Sequence, residues 1–257
     1  MLSSLDRGSE QDTLQEKRPK PQLIIPDSLK ALYRYTEGLK KYTIYKDTTS
    51  ALKLYDEALA IDSTLTPALY EKASILLDSD PKQALTTARK SYLADSTNRW
   101  YMALYGQALI INNHYAEAIP IYRRLIRVDH KNPDHYRIMA MLYQQQQMPL
   151  SAIAILDSAE MRMGKIPQLG ALKRRLYVIT GQFDRAINEA QQAVDETPYD
   201  QNLVIQLGEA YSAAGEDSMA RVTLKQAVDM DSTNIEALSA YIDYAIRKND
   251  SDSYLGT

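Results

Sequence analysis

The apolar residues of this chain fall at helical spacing over most of its length. Leucine and alanine, which favour helices, are the most frequent residues of the sequence. Valine and isoleucine seldom alternate with polar residues in the way that half-buried strands require. The pattern therefore predicts an all-α protein.

A polar tetrapeptide recurs at a fixed interval along this pattern. Asp95-Ser96-Thr97-Asn98 returns at 231–234, and a near copy stands at 62–65. The first two copies begin 136 residues apart, which is four periods of 34, and the near copy begins 33 residues before the first. A constant period of this size is typical of stacked helical repeats.

Small residues recur with the same period. An alanine stands at intervals of 33 or 34 residues, at Ala51, Ala84, Ala118, Ala152, Ala186 and Ala220. Twelve residues before the last four of these stand Gly106, Ala140, Arg174 and Gly208, and a shift of one or two residues adds Gly38 and Ser74. Small residues are needed where two helices press their backbones together. The period therefore predicts a repeating helical hairpin.

This pattern resembles the tetratricopeptide repeat, which has a small residue at position 8, a large apolar residue near 11 and alanines at 20 and 27. GQALIINNHYAEAIPIYRRLIRVD (106–129) and GEAYSAAGEDSMARVTLKQAVDMD (208–231) match it closely. Two further segments, STNRWYMALYGQAL and RKNDSDSYL, are similar in sequence to exported tetratricopeptide proteins of the Bacteroidota type. The resemblance implies a right-handed α-α superhelix of about six hairpins with a final helix.

The chain is expected to divide into a tail and an array. Residues 1–27 are charged and lack periodicity, so we expect a disordered tail or linker there. Residues 28–257 form the array, with repeats at approximately 28–65, 66–98, 99–132, 133–166, 167–200 and 201–234 and a terminal helix at 234–249. The recurring tetrapeptide then falls at the turn between hairpins, where its polar side chains can cap the following helix.

Composition restricts the function. The net charge of −3 argues against a nucleic-acid partner, and the absence of cysteine excludes disulfides and thiolate chemistry. No apolar run reaches the roughly 18 residues of a membrane span, and the N-terminus lacks the apolar core of a signal peptide. The compartment stays open: the chain is soluble as written, or periplasmic or envelope-associated if a leader precedes it.

No catalytic or cofactor pattern emerges. His114, His130 and His135 are the only histidines, and we interpret the last two as surface turn residues rather than metal ligands. There is no glycine-rich phosphate loop and no nucleophile elbow. We therefore expect a protein that is not an enzyme and that binds neither a metal nor a cofactor.

The resemblance implies that the first helix of each hairpin lines a concave groove. Its projecting positions supply the candidate peptide-binding residues Trp100, Gln107, Arg137, Met141, Gln144, Arg175, Ile205 and Glu209. Aromatic and arginine side chains are enriched among interface anchors. The alternatives are that Trp100 packs on the preceding repeat, that the arginines pair with acidic neighbours, and that Met141 fills core. The lysine–asparagine pair of chaperone-binding carboxylate clamps is missing.

The most direct functional hypothesis is a non-catalytic scaffold that binds a protein or peptide segment in this groove. Two alternatives remain open. The array could be the sensing or docking module of a larger signalling protein or enzyme, or an envelope lipoprotein that organises an outer-membrane assembly. The terminal helix, with apolar residues on its surface, also leaves self-association open.

Overall fold

A computed structural model describes residues 25–248, and within them the chain is a succession of α-helices without strands. The first six are α1 (Asp27–Thr43), α2 (Thr48–Ile61), α3 (Thr66–Ser79), α4 (Pro81–Ala94), α5 (Arg99–Ile111) and α6 (Tyr115–Val128). The remaining seven are α7 (Pro133–Gln145), α8 (Pro149–Met163), α9 (Pro167–Ile179), α10 (Phe183–Glu196), α11 (Gln201–Ala214), α12 (Asp217–Met230) and α13 (Ile235–Arg247). The prediction of an all-α chain is confirmed. The expected tail lies almost wholly outside the described residues, as do residues 249–257.

The chain divides between Leu65 and Thr66 into two compact units. The first contains the hairpin of α1 and α2, in which Gly38 faces the Tyr55 ring and Arg34 Nε lies 3.4 Å from Glu57 Oε2. The second contains the hairpins α3–α4 through α11–α12 and the final helix α13.

In the second unit, the first helices of most consecutive hairpins pack against each other as well as against their own partners, and the pair α5 and α7 is the exception. Direct contacts join α3 to α5, α7 to α9, α9 to α11 and α11 to α13. No such contact joins the second helices α4, α6, α8, α10 and α12 to one another. The first helices of this unit therefore form a more closely spaced inner layer, which is where the sequence places the candidate residues.

Small residues let the two helices of a hairpin approach. A Cβ on Gly106 would lie 2.9 Å from the Tyr122 ring, and one on Gly208 would lie 2.6 Å from Leu224. These distances are shorter than packed carbon atoms tolerate. The predicted role of the small residues is confirmed at these positions.

The recurring tetrapeptide is a turn. Asp95 Oδ1 accepts hydrogen bonds from the Thr97 main-chain N–H (3.0 Å) and hydroxyl (2.7 Å), and these bonds lower the pKa of the Asp95 carboxyl. Asn98 Oδ1 then accepts from Trp100 N (2.9 Å) at the first turn of α5. The same arrangement recurs at Asp231–Asn234, where Asn234 caps α13. The tetrapeptide thus orients each following first helix.

Pro120 lies inside α6, which begins at Tyr115 and continues past the proline to Val128. Since proline has no N–H, it removes one helical hydrogen bond at an exposed position of this helix. The hydrophobic face of α6 is retained through the buried residues Ala118, Ile121, Tyr122 and Leu125. Packing of that face keeps the helix continuous despite the missing bond.

Candidate functional site

A cavity of about 600 Å³ opens on the inner layer between α5 and α7. Helix α5 contributes Ala103, Gln107 and Ile110, which lie four and three residues apart and so share one face. Helix α7 contributes Arg137 and Met141 from a matching face. The short side chain of Ala103 leaves room between the two helices.

The floor of this cavity is apolar and aromatic. Ile111, Ile138 and Leu142 line it, and Tyr115 and Tyr122 reach it from α6. Burial raises the pKa of Tyr122 to about 12, so its hydroxyl stays a neutral hydrogen-bond donor. An apolar pocket of several hundred cubic ångströms with a few polar groups is typical of ligand sites in proteins.

The charged groups at the rim of this cavity are held in place. Arg137 Nε lies 3.1 Å from Asp134 Oδ1, and Arg137 Nη1 lies 3.5 Å from Met141 Sδ. The expectation that Arg137 pairs with an acidic neighbour is confirmed. Since Asp134 already balances its charge, Arg137 contributes a positioned guanidinium plane more than a free positive charge.

His135 lies in the wall of this cavity, which corrects the prediction that it is a surface turn residue. It is buried, and its Nε2 lies 3.6 Å from Asp129 Oδ2. Desolvation lowers the pKa of His135, against the opposing effect of Asp129. The imidazole is therefore predominantly neutral at pH 7. Its burial follows from its position in the first turn of α7, against α6, which the sequence pattern alone did not reveal.

Two of the residues predicted on α5 and α7 lie outside this cavity. Trp100 is exposed at the start of α5, with the Arg99 guanidinium 4.8 Å from its ring centroid, so it is not buried on the preceding repeat. Gln144 is half-buried, and its neighbour Gln145 lines the cavity instead. Trp100 stands one helical turn before Ala103, on the face that leads into the cavity.

A second cavity, of about 660 Å³, opens on the same layer between α9, α11 and α13. Arg175 and Arg247 bring positive charge to it, and Glu209 and Glu236 bring negative charge. Burial in the cleft and the nearby Glu236 raise the pKa of Glu209, while Arg247 opposes the shift. Arg175 is exposed and makes no ion pair with any residue from 25 to 248, in contrast to Arg137.

Ile205 is a correction to the predicted groove set. It is 2% exposed and belongs to the apolar cluster that α11, α12 and α13 share, together with Val204, Leu224 and Tyr241. The final helix covers a position that is open in the preceding hairpins, where Ala171 of α9 is exposed. The repeat spacing assigns Ile205 to the projecting face of α11, but the spacing does not reveal which helix packs over that face.

A buried ionic cluster behind the inner layer was missed by the sequence analysis. Lys173 Nζ lies 2.6 Å from Glu160 Oε2, 2.9 Å from Asp157 Oδ1 and 3.5 Å from Glu189 Oε1. Beside it, the Arg174 guanidinium donates to Gln206 Oε1 from Nε (3.1 Å) and Nη2 (2.6 Å). These bonds tie α9 to α8, α10 and α11. In the sequence, the one sign of this cluster was Arg174, which is a large residue at a repeat position where the other hairpins have a small one.

Within residues 25–248, no group of three or more histidine or carboxylate side chains is arranged to hold a metal ion. None of the helices described above combines the length and the apolar composition that crossing a bilayer demands.

Comparison with known proteins agrees with this architecture. Residues 177–241 match the family model described as tetratricopeptide repeat. The fold is similar to that of a tetratricopeptide repeat protein from Parabacteroides merdae ATCC 43184, with a TM-score of 0.65 and 14% identity over 86% of this chain and 89% of that chain. The sequence matches no curated protein.

Two further structures show the same fold. Pseudomonas aeruginosa PilF is similar with a TM-score of 0.56 and 17% identity, over 86% of this chain and 99% of that chain. YrrB, described as a TPR protein with an unusual peptide-binding site, has a TM-score of 0.56 and 17% identity over 72% of this chain and 96% of that chain. At these identities the similarity concerns the fold.

Proposed function

We propose that this chain is a non-catalytic tetratricopeptide repeat scaffold that binds an extended segment of a partner protein along the inner layer of its second unit. The observation that carries the proposal is the presence of two cavities on that one layer, between α5 and α7 and between α9, α11 and α13. YrrB, which shares the fold, has a peptide-binding site, and this supports the general mode.

The first cavity suits a large apolar side chain of the partner. Its floor of isoleucines, Leu142 and two tyrosines offers apolar area, while Gln107 and Gln145 can hydrogen-bond the main chain of a bound segment. Met141 is unbranched and flexible, so it can adapt to anchors of different shape. Trp100 extends the same face by one turn.

The second cavity suits an acidic group. Arg175 presents a guanidinium without a carboxylate partner in the described chain, and a carboxylate can accept two hydrogen bonds from it. The negative charges of Glu209 and Glu236 repel a partner segment that is acidic along its whole length. The partner segment therefore carries one acidic residue for Arg175 rather than an acidic run.

The separation of the two cavities sets the spacing in the partner. The first cavity lies between α5 and α7 and Arg175 lies on α9, so the two anchor points are about one and a half first-helix steps apart, and packed helices lie about 8–10 Å apart. An extended chain covers about 3.3 Å per residue, so roughly four to five residues separate the apolar anchor from the acidic residue.

Selection of random displayed peptides on the immobilised chain tests the proposal. We expect enriched peptides to share a large apolar residue and an acidic residue roughly four to five positions apart. M141D is expected to lose the apolar preference and R175E to lose the acidic one. M161D on α8 and R221E on α12 are matched controls, because both residues are exposed on second helices.

The controls separate the groove from general effects of added charge. Retention of the same peptides by M161D and R221E, with loss by M141D and R175E, supports the proposal. Equal enrichment on all five proteins, or no enrichment on the unchanged chain, contradicts it.

A further inference from the structure

Helix α13 carries an exposed apolar stripe on the side opposite its packed face. Ile235, Ile242 and Ile246 are 82%, 42% and 57% exposed. They lie seven and four residues apart, so they fall on one line along the helix. The packed face consists of Ala237, Tyr241, Tyr244 and Ala245. Three exposed isoleucines on one line of a 13-residue helix, interrupted by the exposed Ser239, form an apolar surface of the kind that marks interaction sites.

The stripe differs from the hairpin-facing side of the preceding first helices. Ile242 occupies the repeat position of Gly106 and Gly208, which lie four periods and one period earlier in the sequence. Those glycines exist because Tyr122 and Leu224 press against them. An isoleucine at this position holds any packing helix farther away. The stripe is therefore suited to a looser helix–helix contact than that within a hairpin.

The edge of this stripe is charged in a self-complementary way. Glu236 lies near the start of α13 and Arg247 at its end, eleven residues apart and on one side of the isoleucines. When two such helices pack antiparallel about a two-fold axis, both charged edges fall on the same side. Glu236 of each helix then approaches Arg247 of the other. Because the acidic end of each helix meets the basic end of the other, this face is complementary to a second copy of itself.

We propose that α13 pairs antiparallel with α13 of a second copy of this chain, with the isoleucine stripe at the centre and two Glu236–Arg247 ion pairs along one edge. The proposal goes beyond the proposed function and is tested separately from it, because self-association is measured without any partner peptide. Glu236 and Arg247 also line the second cavity, so pairing would place the partner copy at the open end of that cavity.

The contact is expected to be weak and reversible. A 13-residue helix is roughly 20 Å long, and one helix pair of that length buries less than the roughly 1,200 Å² of a standard stable interface. Asp243 stands near the middle of the charged edge and would approach its own copy, which lowers the affinity further. The dimer should therefore form progressively as concentration rises from micromolar to millimolar.

Sedimentation equilibrium over this concentration range tests the pairing. We expect the unchanged chain to show a monomer–dimer equilibrium and I242K to raise the dissociation constant at least about tenfold, because a charge is buried beside its own copy. V222K on α12 is the matched control: Val222 is exposed, and its replacement should leave the equilibrium unchanged. D243N should strengthen the dimer by removing a repulsion.

A mixing experiment tests the antiparallel arrangement directly. E236R makes both ends of the edge basic, and R247E makes both ends acidic. We expect each variant alone to dimerise roughly tenfold more weakly, since attraction becomes repulsion in both pairs. An equimolar mixture should restore dimers, because each chain meets its complement.

Either of two results would overturn the proposal. One is a chain that stays monomeric throughout the concentration range. The other is a dimer that persists in I242K, or a mixture of E236R and R247E that associates no better than its components. Circular dichroism of each variant verifies that α-helix content is retained, so a loss of pairing is not a loss of folding.

Discussion

Gly208 of α11 lies directly against Leu224 of α12, so closely that a Cβ on Gly208 would be 2.6 Å from both Cγ and Cδ2 of the leucine and 3.2 Å from its main-chain nitrogen. Where the same repeat position holds the large residue Arg174, the residue at the position of Leu224 is Ala190. The hairpins thus combine a small residue on one helix with a large residue on the other.

Gly208→Ala should lower the free energy of unfolding by about 1–3 kcal/mol, because the added methyl group overpacks the hairpin. Gly170→Ala on α9 is the control: its nearest neighbour is the flexible Arg174 Nη1 at 3.3 Å, so alanine should be neutral or stabilise the helix by up to about 1 kcal/mol. Urea unfolding followed by circular dichroism measures both. Equal effects of the two substitutions would refute the close-packing explanation.

Gln147→Gly should stabilise the chain. Gln147 adopts a φ of 57° in the turn between α7 and α8, and the same turn position is held by Gly181 and Gly215 in the next two hairpins. Left-handed backbone costs a non-glycine residue about 1 kcal/mol, which glycine avoids. Gly181→Gln is the reverse exchange and should cost a similar amount. Thermal denaturation measures both. If Gln147→Gly does not raise the melting temperature and Gly181→Gln does not lower it, the turn position does not favour glycine.

Ile205→Ala should lower the free energy of unfolding by about 2–4 kcal/mol, since it leaves a cavity under α13. Exposed groove residues behave differently: Gln107→Ala should change stability by no more than about 0.5 kcal/mol. Urea denaturation of both variants distinguishes a core residue from a surface residue. A nearly unchanged stability of Ile205→Ala would mean that α13 does not pack on α11 in solution.

Lys173→Met should lower the free energy of unfolding by about 2 kcal/mol at pH 7, because three partly exposed carboxylates lose their shared cation. K225M is the control, as Lys225 is exposed on α12. Burial alone would lower the pKa of Lys173, but its bonds to Glu160 and Asp157 outweigh burial and raise that pKa.

The pH dependence of this effect has a definite sign. A raised folded-state pKa means that the contribution of Lys173 is complete below the ordinary lysine pKa of 10.5 and declines as pH rises through the folded-state value. The stability difference between the unchanged chain and K173M should therefore be constant from pH 7 to about 10 and narrow above that. A difference that vanished at pH 7 would show that the cluster does not stabilise the fold.

The period of 33 or 34 residues in the sequence was enough to predict the repeating hairpin, because a helical hairpin of fixed length imposes the same spacing on every copy. Asp95, Asp231 and the glycines at 106 and 208 could be assigned from the sequence, since turn and close-packing roles depend on local chemistry. Gln107, Arg137, Met141, Arg175 and Glu209, which the same spacing selects, line cavities, and their role in binding a peptide stays a prediction.

Tertiary structure alone decided which projecting positions remain accessible. Ile205 and Ala171 share a repeat position, yet α13 buries the first while the second stays exposed. The Lys173 cluster and the buried His135 arise from side chains that belong to different helices and meet only when the hairpins stack. Local sequence specifies the direction in which a side chain leaves its helix, but what it meets there depends on residues far along the chain.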